Sequence, residues 1–108
     1  MHENTYHGLM KWYYVEIGKF GWMIIFSQSN EKSDYKLEKL TLYLRTLNEL
    51  KDAIKMKVDE VTEIDRKKDL LIIHKKILDF IPIATDTLSK NFNQYGGAKK
   101  VKSSSNKK

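Results

Sequence analysis

All-α is the fold class this sequence predicts: a three-helix bundle, or a long helical hairpin with a packed N-terminal helix, followed by a disordered basic C-terminal tail. Three observations predict it. Three segments carry apolar residues at the 3–4 spacing of one helix face; none sustains the alternation of period two that a half-buried strand needs; and the connections between them are short and polar. A chain of 108 residues suits one helical domain, here residues 1–92, with residues 93–108 as the tail.

The first helix is expected at about residues 5–26, "TYHGLMKWYYVEIGKFGWMIIF". Tyr6, Met10, Tyr13, Ile17, Phe20 and Ile24 follow a 4-3-4-3-4 spacing and form its core stripe. Gly8, Gly18 and Gly21 each cost about 1 kcal/mol relative to alanine in a helix. Tertiary packing must therefore hold the segment, which is expected to bend or break near residues 18–21. Val15, Trp22 and Phe26 fall near the side opposite the stripe. A helix apolar on two faces is either buried from two directions or presents one face to a partner, and three helices give too little cover for full burial. Trp12, Val15, Trp22 and Phe26 are therefore the candidate partner interface, for another protein or a second copy.

The polar run "SQSNEKSD" at residues 27–34 reads as a loop, with Ser33 or Asp34 as the N-cap of the next helix. That second helix is expected at about residues 35–61, where Leu37, Leu40, Leu44, Leu47, Ile54, Val58 and Val61 repeat at 3–4 spacing and Lys51 alone breaks the series. The third is expected at about residues 64–81, opened by "TEID", which resembles a capping box, with Glu63 and Lys67 at a favourable i,i+4 spacing. Its stripe is Leu70, Ile73, Ile77, Phe80 and Ala84. Pro82 removes an amide donor and crowds the preceding turn, so the helix is expected to stop or kink at about Ile81, with a short further piece at 83–89. Gly96 and Gly97 then mark release into the tail.

Charge is unevenly laid out. Lys99, Lys100, Lys102, Lys107 and Lys108 lie in a tail without a single acid, leaving 15 basic residues against 14 acidic ones in residues 1–97. The tail thus supplies five of the six net positive charges, and those five lysines form a candidate polyanion-binding handle for nucleic acid, an anionic membrane or an acidic protein. With one aromatic, Tyr95, nearby and no folded recognition element, contact with nucleic acid is expected to be sequence-nonspecific.

Other chemistries find little support. Cysteine is absent, which excludes disulfides, thiolate chemistry and sulfur-ligated metals and is compatible with a reducing interior. The longest apolar run, residues 20–26, is about a third of the ~20 residues a spanning helix needs, so no transmembrane segment is expected. His2, His7 and His74 share no i,i+3 or i,i+4 spacing that would aim two rings at one ion, and His74 reads as a core-margin histidine. The charged run "DEVTEIDRKKD" at residues 59–69 reads as a solvated helix junction, and "YGGAKK" lacks the context of a phosphate loop. No catalytic residue, metal site or cofactor is expected.

The string Tyr6, His7, Gly8, Leu9, then Trp12, then Lys19, Phe20, Gly21, Trp22, Met23, followed by a long leucine helix and Asp65, Lys68, Asp69, Leu70, resembles a group of small uncharacterised helical proteins of nucleocytoplasmic large DNA viruses, of the algal-virus and mimivirus kind. It covers about residues 5–88. Gly18 and Phe26 depart from the acidic and polar residues of that group and make this first helix more apolar. The resemblance transfers no catalytic residue and implies only a setting: an intracellular protein of infected host cytoplasm, or a virion component.

The functional expectation is a non-enzymatic interaction or structural protein that docks through its aromatic first helix and touches nucleic acid or another polyanion with its tail. The main alternative is a peripheral membrane protein, with Trp12, Tyr13, Tyr14, Trp22 and Phe26 at the interface and lysines against anionic lipid. A small metal-binding or enzymatic bundle is the third class. It would require a formed pocket lined by His7 or His74 and carboxylates.

Overall fold

The computed structural model describes residues 5–103, with side chains as far as residue 93. Three helices, α1 (Tyr6–Ser27), α2 (Ser33–Glu60) and α3 (Ile64–Ser103), form a three-helix bundle, with no strand among the described residues. The short link at 61–63 turns α3 back along α2 into a long hairpin, and α1 lies against both. At about 1.5 Å per residue the 40 residues of α3 span about 60 Å, which accounts for the 58 Å length of a body 26 Å by 20 Å across.

Capping explains where α1 begins and ends. Thr5 Oγ1 accepts from the Gly8 amide (3.0 Å), and Gly18 and Gly21 do not interrupt the helix that follows. At its far end Lys36 of α2 donates to the Ser27 and Ser29 carbonyls (3.2 and 3.0 Å), satisfying groups that the end of α1 leaves without amide partners. Ser33 and Asp34 are the first residues inside α2 rather than its N-cap. Lys32 occupies the cap position without a side-chain bond, and Asp34 accepts from the Tyr35 amide (2.8 Å). At the start of α3, Glu63 pairs with Arg66 (3.4 Å) instead of with Lys67.

The core runs along the hairpin groove. Leu40, Tyr43, Leu47, Leu50 and Ile54 of α2 meet Leu70, Ile73, Ile77 and Ala84 of α3. From α1 come Leu9, Tyr13 and Met23, so its buried line is Leu9–Tyr13–Glu16–Met23–Ser27, rotated by about 60° on a helical wheel from the predicted stripe. The reason is that α1 has two neighbours. Its predicted stripe is half-buried toward α3, where Phe20 stacks on Phe80 at 4.6 Å, while Glu16 turns toward α2.

Pro82 does not end the third helix, which continues to Ser103. The ring is exposed, so the Leu78 carbonyl that loses its amide donor lies on the wet side of the helix. A proline there costs about 3 kcal/mol. Burial of Ala84 and packing of Leu88 on the core hold the helix on course beyond it. The side chains expected to form the basic tail lie outside the described residues; for 94–103 only a helical backbone is described.

Candidate functional site

Two surfaces of α1 stand apart from the core. The first is its flank toward α2, where Glu16, Lys19 and Trp22 face Lys39, Leu42, Tyr43 and Thr46 across a cleft of about 360 Å³. The helices are held together beneath it by the Tyr43 hydroxyl, which donates to the Glu16 backbone carbonyl (2.9 Å). Burial, and then the nearby Glu16 charge, push the Tyr43 phenol well above its ordinary range, so it stays a donor.

Glu16 is the unusual member. Its side chain is 2% exposed, Oε1 is buried without a hydrogen-bond partner, and the Lys19 ammonium stands 3.6 Å from Oε2, beyond hydrogen-bond reach. A buried carboxylate oxygen without a donor costs stability, because the group gives up its hydration and gains no hydrogen bond in return. On the cleft wall Trp22 is 48% exposed and stacked on Phe26, with centroids 4.9 Å apart and planes 12° apart. Phe26 in turn meets Tyr35 edge-on at 5.7 Å, and Lys39 sits 5.5 Å over the Tyr35 ring. An aromatic run thus leads from the cleft to the α1–α2 turn.

The second surface is the outward face of α1, where Tyr14 (64% exposed), Gly18, Gly21 and Ile25 (71% exposed) follow 4-3-4 spacing along one ridge. A Cβ built on either glycine meets no atom within 4 Å, so nothing in the described fold requires glycine at these positions.

Of the four predicted interface residues, Val15 and Trp22 are exposed, while Trp12 and Phe26 are half-buried against the core. The structure brings Trp22 and Phe26 together. Tyr13 is buried, so the set Trp12, Tyr13, Tyr14, Trp22 and Phe26 does not form one lipid-facing surface. The side chains of Lys99, Lys100 and Lys102 lie outside the described residues, as do Lys107 and Lys108 entirely. Among the described residues no helix is long and apolar enough to cross a membrane, and no three His, Asp or Glu side chains converge as a metal site.

The histidines lie apart. His7 is exposed with its ring edge-on to Tyr6 at 5.1 Å. His74 is half-buried, its Nε2 lacks a hydrogen-bond partner, and burial, then Lys55 and Lys51, hold it below its ordinary pKa. At the other end of the α1–α3 contact, the Tyr6 hydroxyl donates to Asp69 Oδ2 (2.6 Å) and the Arg66 guanidinium lies 4.9 Å over the Tyr6 ring.

Sequence reasoning missed Glu16 and the ridge of Tyr14, Gly18, Gly21 and Ile25. A signal for the first existed: Glu16 is the one ionisable carboxylate on the line Leu9–Tyr13–Glu16–Phe20–Met23. Comparison of the chain with protein-family models, with curated proteins and with solved structures found no match.

Proposed function

We propose that this chain is a non-enzymatic interaction protein that docks a protein partner or a second copy through the outward face of α1, with its C-terminal lysines contacting nucleic acid or another polyanion. The observation that carries the reading is the exposure of Tyr14 and Ile25 on either side of Gly18 and Gly21. Glycines inside a helix lower its stability, and no neighbour among the described residues gives a reason for them. Close approach of a second helix gives one, because a surface without Cβ atoms lets two backbones come together between flanking large side chains. Val15 and Trp22 widen the apolar surface toward α2.

A structural component of a virus particle is the concrete form of this proposal, following the sequence resemblance over residues 5–88. Sedimentation equilibrium of the full chain tests the docking half, alone and with partners captured from infected cells. Association that Tyr14→Glu and Ile25→Glu abolish without loss of helicity is the expected result. A chain that stays monomeric at high concentration and captures no partner refutes it. For the tail, duplex DNA binding is expected to weaken with salt at a log-log slope of about −4.5 if five lysines each neutralise a phosphate. Binding that survives replacing all five by glutamine removes the tail from the proposal.

A further inference from the structure

We infer that two copies of this chain pair through α1 in antiparallel fashion, about a two-fold axis that crosses the helix between Gly18 and Gly21. The inference rests on the docking role proposed for the outward face of α1 and commits that face to one occupant, a second copy. Its first ground is the order of residues there. Lys11, Tyr14, Gly18, Gly21, Ile25 and Gln28 are all exposed and follow 3-4-3-4-3 spacing, so they share one line down the helix to its C-cap. That spacing reads the same in both directions. A two-fold axis at its centre sets Gly18 against Gly21, Tyr14 against Ile25 and Lys11 against Gln28 of the second copy, each contact made twice.

The face extends beyond the two glycines. Beside Tyr14, a groove of about 290 Å³ between α1 and α3 is lined by Met10, Ile17 and Ile72, with Lys76 among its polar members. Asp69, also in the lining, already accepts from the Tyr6 hydroxyl. Buried Tyr13 holds the Tyr14 ring edge-on at 5.3 Å. In the antiparallel pair the exposed Ile25 of the second copy stands opposite Tyr14 and enters this groove, covering the exposed Ile72 as well. The exchange is reciprocal, and between the two knobs a stretch without Cβ atoms lets the backbones approach.

Charge selects the direction. Parallel pairing would set Lys11 against Lys11, whereas antiparallel pairing sets it beside the uncharged Gln28. The same axis keeps α3 of both copies on one side of the helix pair and reverses one against the other. Lys76 shares a groove with Tyr14, and Asp86 shares one with Ile24 and Gln28. Reversal therefore brings Lys76 of each copy level with Asp86 of the other. Both side chains are exposed, and Asp86, paired with Lys90 at 3.1 Å in its own helix, can accept a second cation.

Sedimentation equilibrium of the full chain is expected to show a mass that rises with concentration from one chain to two and no further, since a two-fold contact closes on itself. Disulfide trapping reads the direction, against the clean background of a chain without cysteine. Tyr14→Cys mixed with Ile25→Cys should give at least about tenfold more linked pair than either variant alone, because two copies of the same variant hold their thiols about 16 Å apart along the helix. Lys76→Glu and Asp86→Lys should each weaken the pair by about fivefold, and both changes in one chain should restore it to within about twofold. These positions lie about 15 Å apart along α3, so that recovery has to come from across the interface. All four positions are exposed, so the variants keep the fold. Disulfides that each variant forms with itself, or no recovery in the double variant, overturn the antiparallel pair and leave the ridge as a docking face. A strict monomer whose ridge takes up a different protein overturns the second copy as occupant and spares the docking role, and a strict monomer that takes up nothing ends both.

Discussion

Replacing Gly18 and Gly21 by alanine should stabilise the isolated chain and weaken whatever association α1 supports. Both positions are exposed and helical, and an added Cβ meets no atom within 4 Å at either. No clash offsets the gain in helix propensity, which is about 1 kcal/mol per site and about 2 kcal/mol for the pair. Against the roughly 5–15 kcal/mol of a domain this size that is a large fraction, equivalent to about 8 °C in Tm. Urea unfolding followed by circular dichroism at low protein concentration measures it, with an unchanged m-value showing that only stability moved. On the partner side the same two methyl groups stand where another backbone would approach, so affinity should fall as monomer stability rises. Unchanged or lower stability would refute the claim that this face is open, and undiminished association would refute the claim that the glycines serve a contact.

Two further predictions concern single positions and a third a pair. Pro82→Ala should raise stability by about 1–3 kcal/mol in the same urea assay, because the exposed site regains an amide donor for the Leu78 carbonyl. His74 should make the fold acid-sensitive: the unfolded chain takes up its proton near pH 6.5, while burial, Lys55 and Lys51 resist uptake in the fold and Asp52 only partly opposes them. Stability is then complete above about pH 6.5 and declines as pH falls from there through the lowered folded value; urea midpoints across pH should show this slope, and His74→Leu should flatten it. Finally, Tyr6→Phe and Asp69→Asn should show a coupling of about 1 kcal/mol in a double-mutant cycle, the worth of the 2.6 Å bond that ties the start of α1 to α3.

How legible the fold was depended on how one-sided each helix is. In α2 and α3 lysines and acids are frequent on the wet side, although Leu42, Met56, Leu71, Ile72 and Leu78 are exposed there too, and Leu40, Leu47, Ile54, Leu70, Ile73 and Ile77 could be picked out as core from their 3–4 spacing. In α1 almost every side is apolar. A wheel then offers several equivalent stripes, and the true one is settled by where α2 and α3 leave room. Pro82 was misread because its effect depends on which side of the helix the ring occupies, and that follows from packing. Glu16 was passed over for a related reason: its place on the line of Leu9, Tyr13 and Met23 was a signal, but a lone glutamate is expected in water, and only the packing of α2 against that line shows it buried. Several residues spread along α1 and α3 hold α1 in place: Leu9, Met23 and Leu70 are core, Phe20 stacks on Phe80, and Tyr6 binds Asp69.

That distribution makes α1 the element whose order is conditional. The hairpin of α2 and α3 carries most of the buried side chains, whereas α1 contains two exposed glycines and stays docked through Leu9, Tyr13 and Met23 in the core and a few polar and aromatic contacts: Tyr6 to Asp69, Tyr43 to the Glu16 carbonyl, Phe20 on Phe80, and Lys36 over its final turn. A helix with weakened intrinsic propensity leaves its groove at a lower free energy than the hairpin unfolds. The cleft exists only while α1 is docked, and the ridge only while α1 is helical, which docking supports. Any ligand of either one therefore stabilises the docked state by mass action and raises the population competent to bind at the other. The two surfaces are coupled through the docking of a single helix, without contact between their ligands, and replacing Tyr6 by phenylalanine should weaken binding at the ridge although Tyr6 lies outside it.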